Sequence, residues 1–246
     1  MNETEYTNIA GIRSSWIKAL AVGGPRALWQ AVNGEIAETA SMKFGRLVHD
    51  LVAGSGNWAC AQFDGRTKEG KAERAEFAAK GVEVVTADEM ARATKCAEVL
   101  KGAVDLAGAS LEACFTSTDG PGLKARLDAL LADGETVVDW KTTSDITRAE
   151  RDFWARRYDL QAGLAAAILR DNGRACTCCK FVFVETSAPF RRVTVVIDGA
   201  LLDMAVDEAR VWARQADELV KTYGADLDAW PQAQDIRLEA KPSWIE

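Results

Sequence analysis

The sequence predicts an α/β fold organised around a mixed sheet, and three observations carry that prediction. The hydrophobic period changes near residue 111, from helical spacing before it to strand-like runs after it. Three of those runs, LEACFTS, LKARLDALL and TVVDWKTT, form a meander joined by the turn segments STDGPG and ADGE. A helical pattern over roughly 147–170 then leads to two further strands, CCKFVFVET and RRVTVVID. A helix between strands is the crossover that parallel pairing requires.

The remaining elements follow from local signals. Residues 8–20 read as helix, with Trp16, Ile17 and Leu20 on one side, and GGP at 23–25 ends or interrupts it. Ser41 is the expected cap of a helix through Ala53, whose apolar stripe is Phe44, Leu47, Val48 and Leu51. After the break at GSGNW, residues 57–69 read as loop or short strand, 70–80 as helix and GVEVVT as an extended piece. Thr86 and Glu89 form a capping box ahead of a helix from 87 to about 101, with 103–109 a continuation of it. Gly173 caps the long helix in a left-handed conformation, Pro189 marks a turn, and the last helix covers about 199–222. The tail WPQAQDIRLEAKPSWIE reads as extended and proline-broken.

The chain of 246 residues, 48% hydrophobic, supports one sizeable core or at most two small ones. No apolar run reaches the ~20 residues that span a bilayer. The start, MNETEYTNIAGIRSS, resembles neither a signal nor a transit peptide, so the expectation is a soluble, cytoplasmic protein with no membrane partner. A net charge of −7 argues against a generic nucleic-acid binder, though binding depends on local patches. Basic residues bunch at Arg66, Lys68, Lys71 and Arg74, and again at Arg148, Arg151, Arg156 and Arg157; such bunches are more often solvated helix faces. The six cysteines show no disulfide-scaffold spacing, and in CTCC a strand would turn Cys178 and Cys179 to opposite faces, which favours small core residues over a metal cluster.

The stretch KARLDALLADGETVVDWKTT carries the chemistry. A two-residue turn at Asp133-Gly134 sets Asp128 opposite Asp139, with Lys141 on the same face and Arg126 across from it. Leu127, Ala129, Leu131, Val138 and Trp140 are then expected on the other, core-facing side. Two carboxylates ~5 Å apart repel by roughly 3 kcal/mol at an effective dielectric near 20, so they call for a cation. A hard divalent ion compensates them; the alternative is an exposed hairpin face in which Asp and Lys meet solvent.

Asp128 followed by Asp139-Trp140-Lys141 resembles the signature of the PD-(D/E)xK nuclease superfamily, with Leu127 in place of the proline. Glu112, on the preceding strand, resembles a further acidic position of these nucleases. YDLQAGLAAAIL resembles their following helix, with Tyr158 and Gln161 facing the site, and FGRLVHDLV resembles the upstream helix whose histidine, here His49, joins the metal shell. Order and spacing are most similar to the RecE (exonuclease VIII) C-terminal and lambda-exonuclease-like group. Some related nucleases carry an iron–sulfur cluster, which CTCC does not support.

The resemblance implies a restriction-endonuclease-like core in a single nuclease domain over 1–246, its motifs within about 41–197 and its helical ends additions. It implies Mg2+, or Mn2+ in its place, held by Asp128, Asp139, His49 and the Trp140 backbone carbonyl. Lys141 would orient or help deprotonate a water, and Gln161, Tyr158 and Glu112 would hold water or substrate. The implied reaction is hydrolysis of linear double-stranded DNA from its ends, 5′ to 3′, by a homo-oligomeric ring working beside a single-strand annealing recombinase. Arg66, Lys68 and Lys71 are the expected phosphate contacts. A structure- or site-specific endonuclease, a catalytically inactive DNA-binding or assembly module, and a domain that uses metal only for folding are the alternatives.

Overall fold

The computed structural model describes residues 3–34, 37–61, 66–117 and 119–231. In chain order the elements are α1 (Glu3–Asn8), α2 (Ser14–Asn33), α3 (Ala40–Ala53), β1 (Trp58–Cys60), α4 (Lys68–Ala79), β2 (Glu83–Val85) and α5 (Ala87–Lys101). They continue with β3 (Ser110–Ser117), β4 (Leu123–Leu130), β5 (Thr136–Thr143), α6 (Ala149–Ala155), α7 (Tyr158–Asp171), β6 (Cys178–Glu185), β7 (Arg192–Asp198) and α8 (Gly199–Tyr223). Strands β3 to β7 form one five-stranded sheet in sequence order, antiparallel except for the parallel β5–β6 pair that the α6–α7 crossover makes possible. Strands β1 and β2 pair in parallel as a separate small sheet.

The central strands of the large sheet are buried on both faces. On one side α2, α7 and α8 enclose Ile17, Leu28, Leu127, Val137, Leu164, Phe181 and Leu202. On the other, α3 and α5 cover Ala129, Val138, Trp140, Val182 and Val184. Helices α7 and α8 approach closely because their facing positions are small: a Cβ added at Gly163 would lie 2.0 Å from the Ala205 carbonyl oxygen. No helix among the described residues is long and apolar enough to cross a membrane.

Several local expectations need correction. Helix does not run through residue 12: Ile12 pairs with β4, donating to the Gly122 carbonyl (2.9 Å) and accepting from Lys124 N–H (2.9 Å), so α2 starts at Ser14. Within α2 the GGP segment makes a kink at Gly24 (φ 71°), where Pro25 cannot donate a helical hydrogen bond. Thr39, not Ser41, caps α3 by accepting from Met42 N–H. The Thr86–Glu89 capping box is present, but α5 ends at Lys101 and 103–109 is not helix. The long helix over 147–170 is two helices, because Arg157 takes φ 52° and its guanidinium ties Asp159 to Glu208 of α8. The expectation that CTCC contains no CxxC pair is corrected: Cys176 and Cys179 stand at that spacing, and both are buried. Most of the expected extended tail lies outside the described residues; Trp230, at its start, is buried with its indole donating to the Gly224 carbonyl.

Candidate active site

The hairpin that carries the acidic residues closes through a longer loop than two residues. Leu131 N–H donates to the Thr136 carbonyl, and Asp133 organises the loop by accepting from Glu135 N–H, Thr136 N–H and the Thr136 hydroxyl. The loop is symmetric about Asp133-Gly134, so the expected register holds: Ala129 pairs with Val138 and Leu130 with Val137.

Beyond those pairs the β4–β5 ladder opens. The Trp140 N–H donates to Asp128 Oδ2 (2.8 Å), so a carboxylate stands where a strand carbonyl would otherwise accept. The side-chain alternation of β4 slips at the same point. Leu127 packs in the core under α2, α7 and α8, whereas Ala129 packs under α3 and α5, although strict alternation would give them one face. This corrects the expectation that both share the Trp140 side. Glu112 is opposite Asp128 in β3, between the pairs Leu111–Ala129 and Ala113–Leu127, and its own backbone has φ 51°, a conformation costly for a non-glycine residue.

The opening brings side chains from both helical layers together. From α3, His49 Nδ1 lies 3.3 Å from Asp128 Oδ2. From α7, Gln161 Nε2 donates to Asp139 Oδ2, and Lys141 forms an ion pair with Asp139 Oδ1. The Lys141 ammonium also sits 4.7 Å from the Tyr158 ring centroid, and that ring stacks on Phe181 at 5.7 Å. Glu112 is held by Arg126 at 2.9 Å.

The two central carboxyls are pushed in opposite directions. Burial raises Asp128, but the His49 imidazole, Lys141 and the Trp140 amide outweigh it and hold the group below its ordinary value. Burial also raises Asp139, with help from the Asp128 charge, and Lys141 does not fully offset it, so Asp139 ends above its ordinary value. Burial works against the charged forms of His49 and Lys141, yet the neighbouring carboxylates leave both above their ordinary values. Burial pushes the Glu112 carboxyl up. Divergent pKa values in one carboxylate pair are a recurring feature of acid–base sites.

Among the described residues no three His, Cys, Asp or Glu side chains stand in a metal-holding cluster. The acidic pair is divided: Asp128 faces His49 and the Trp140 amide, while Asp139 faces Lys141 and Gln161. The donor chemistry nevertheless suits a hard divalent cation, with two carboxylates and an imidazole around one backbone segment. Asp139 Oδ1 is buried and, among the described residues, receives no hydrogen bond beyond its ion pair with Lys141, which leaves an anionic oxygen with coordinating capacity.

Residues 14–223 match a family model described as a PDDEXK-like domain of unknown function (DUF3799). The chain belongs to that family. A solved structure named "Putative exonuclease" from Eubacterium rectale is 15% identical, with 85% of this chain and 82% of that chain covered at a TM-score of 0.59. A "phage related exonuclease" from Haemophilus somnus 129PT is 14% identical over 89% of this chain and 99% of that one, at a TM-score of 0.40. No curated protein matches in sequence. At these identities the first likeness speaks to the fold, and it agrees with the mixed sheet and helical layers of a PDDEXK-like domain.

The PDDEXK-like site is reached from two sides. A cleft of about 340 Å³ is lined by Arg46, His49, Glu112, Lys141, Arg156 and Tyr158. A pocket of about 320 Å³ on the other side is lined by Arg13, Lys124, Asp128, Asp139, Gln161 and Lys180. Sequence reasoning missed most of these cations, because they come from separate elements and form no run in the chain. Arg66, Lys68 and Lys71, its choice for phosphate contacts, are exposed at the start of α4 and line neither opening. It also missed Lys18 of α2, whose ammonium donates to Gln161 Oε1 at 2.7 Å. No spacing rule points to that residue; only the docking of α2 on α7 does.

Proposed function

We propose that this chain is a Mg2+-dependent deoxyribonuclease that hydrolyses phosphodiester bonds of linear double-stranded DNA. One observation carries the reading: Asp128, Asp139 and Lys141 meet where the β4–β5 ladder opens, with His49 and Gln161 supplied from opposite layers. Family membership supports the same reaction class.

Asp128, Asp139, His49 and the Trp140 carbonyl would hold the ion, with Mn2+ able to replace Mg2+. When bound, it would supply Lewis acidity toward a phosphate and a lowered pKa for water. Lys141 remains charged beside Asp139 and offsets phosphate charge as the bond breaks. Gln161 donates to Asp139 Oδ2, so Oδ1, beside Lys141, is the carboxylate oxygen left to coordinate the ion. The Tyr158 ring, stacked on Phe181, holds the Lys141 ammonium from beneath. Glu112 and Arg126 form the rim beside Asp128, where Glu112 would hold water.

The finer reading is 5′-to-3′ digestion from DNA ends by a ring of subunits, beside a single-strand annealing partner, in a cytoplasmic phage or prophage recombination setting. It rests on the resemblance to the RecE and lambda-exonuclease-like group. Basic residues in both openings, set in a chain of net charge −7, suit a protein whose DNA path is local and whose outer surface is acidic. The test is purified protein with 5′-phosphorylated linear duplex and with a covalently closed circle, each with Mg2+ and with chelator. Mg2+-dependent loss of the linear duplex alone is expected. Cutting of the circle would make it an endonuclease, and Mg2+ binding without digestion would make it a binding module.

A further inference from the structure

Lys18 lies on α2, before the first recognisable motif residue, yet it points into the site. Its Nζ donates to Gln161 Oε1 (2.7 Å) and sits 5.0 Å from the centroid of the Tyr158 ring, the same ring that carries Lys141. At its other end the Gln161 carboxamide donates through Nε2 to Asp139 Oδ2. An ammonium only donates and a carboxylate only accepts, so the two partners together select one rotation of an amide that otherwise has two. We propose that Lys18 is a positioning residue that fixes the Gln161 carboxamide, and through it the Asp139 carboxylate, for the phosphodiester chemistry; this rests on the nuclease reading.

Packing alone does not explain a lysine here. Ile17, Leu20 and Leu28 already anchor α2 in the core, and Ile12 ties the preceding segment to β4. Holding a lysine charge in this place is costly. Burial, the facing Lys141 ammonium and Arg156 lower its pKa to about 7, against the support of Asp139 and Asp128. An apolar side chain of similar length would avoid that cost, so the amine kept here points to what it touches, the Gln161 amide. The arrangement makes α2 a working part of the site.

The test is a double-mutant cycle between Lys18→Met and Gln161→Ala, read by steady-state cleavage of linear duplex with Mg2+. Lys18→Met should lower kcat by ~10–100-fold with KM changed less than about threefold, as expected when a reacting group is misplaced while substrate binding is kept. In the Gln161→Ala background the same substitution should have almost no further effect, because its target is gone. Lys18→Arg, which keeps the donor, should recover most of the lost rate. Full activity of Lys18→Met, or equal losses in both backgrounds, overturns the inference. If the wild-type protein digests no DNA, the nuclease reading fails by itself. The Gln161 link is then judged by the side-chain amide signals in 15N-resolved NMR spectra. A shift of the Gln161 pair in Lys18→Met but not in Lys18→Arg upholds the link, and unchanged signals reject it. The same spectra decide the case if Lys18→Met lowers Tm, since Lys18→Arg supplies the folded comparison.

Discussion

Strand β5 has two edges, and they differ sharply. Along β6 it pairs without interruption from Thr136–Cys178 to Thr143–Glu185. Along β4 it pairs only at Val137 and Val138 before the Asp128 carboxylate takes the Trp140 amide. The closed edge satisfies the backbone with backbone and buries Val182 and Val184 in an apolar layer. The open edge satisfies the backbone with a charged side chain and gathers His49, Lys141 and Gln161 around it. A rigid strand fixed on one side thus holds a cluster on the other whose charges would repel if left to flexible loops.

The largest effects should come from the open edge. Lys141→Ala should lower kcat by about a thousandfold while retaining DNA affinity, measured by single-turnover cleavage alongside a binding titration. Asp128→Asn separates charge from architecture at the same edge: the amide oxygen still accepts from Trp140 N–H, so Tm should move little while activity falls by ~100-fold or more. A collapse of Tm in that variant would mean that the charge itself keeps the ladder open.

His49→Ala should have a smaller consequence, seen in the metal dependence. The Mg2+ concentration for half-maximal rate should rise by about 10–100-fold, as when a ligand-orienting or ligating group is lost. An unchanged Mg2+ requirement would restrict His49 to pairing with Asp128.

The closed edge should answer in stability alone. Val182→Ala should cost about 2 kcal/mol in urea unfolding with kcat preserved. A matching loss of kcat would show that the two edges are mechanically linked.

The smallest effect is an acid limb at the end of the same edge. The Arg191 guanidinium holds the Glu185 carboxyl down to about 2. A carboxyl lowered on folding stabilises the protein above its unfolded value of ~4.3, and that contribution fades as pH falls toward 2. Thermal melts of wild-type protein should therefore fall more steeply between about pH 5 and pH 2 than those of Glu185→Gln. Parallel curves would assign the acid sensitivity to the carboxylates of the open edge.

How far the chain could be read depended on the range of the interaction. The Asp133-Gly134 loop, the Thr86–Glu89 capping box and the Tyr158–Gln161 spacing are local, and each places its residues as expected or nearly so. The break at Arg157 was hidden because its cause is distant: the guanidinium reaches Glu208, on a helix some fifty residues later. The slip at Asp128 was hidden because alternation assumes an undisturbed ladder, and here a side chain replaces a main-chain partner.

By itself the sequence determined the mixed α/β layout, the register that opposes Asp128 to Asp139, and the residue types a nuclease site requires, since these follow from turn chemistry and short-range periodicity. Tertiary structure alone decided that β4 parts from β5 at Asp128, that the acidic pair is divided between His49 and Lys141, and that Lys18 of α2 reaches Gln161. Those outcomes depend on how two helical layers close over a sheet, where burial and charge act between residues that no sequence spacing connects.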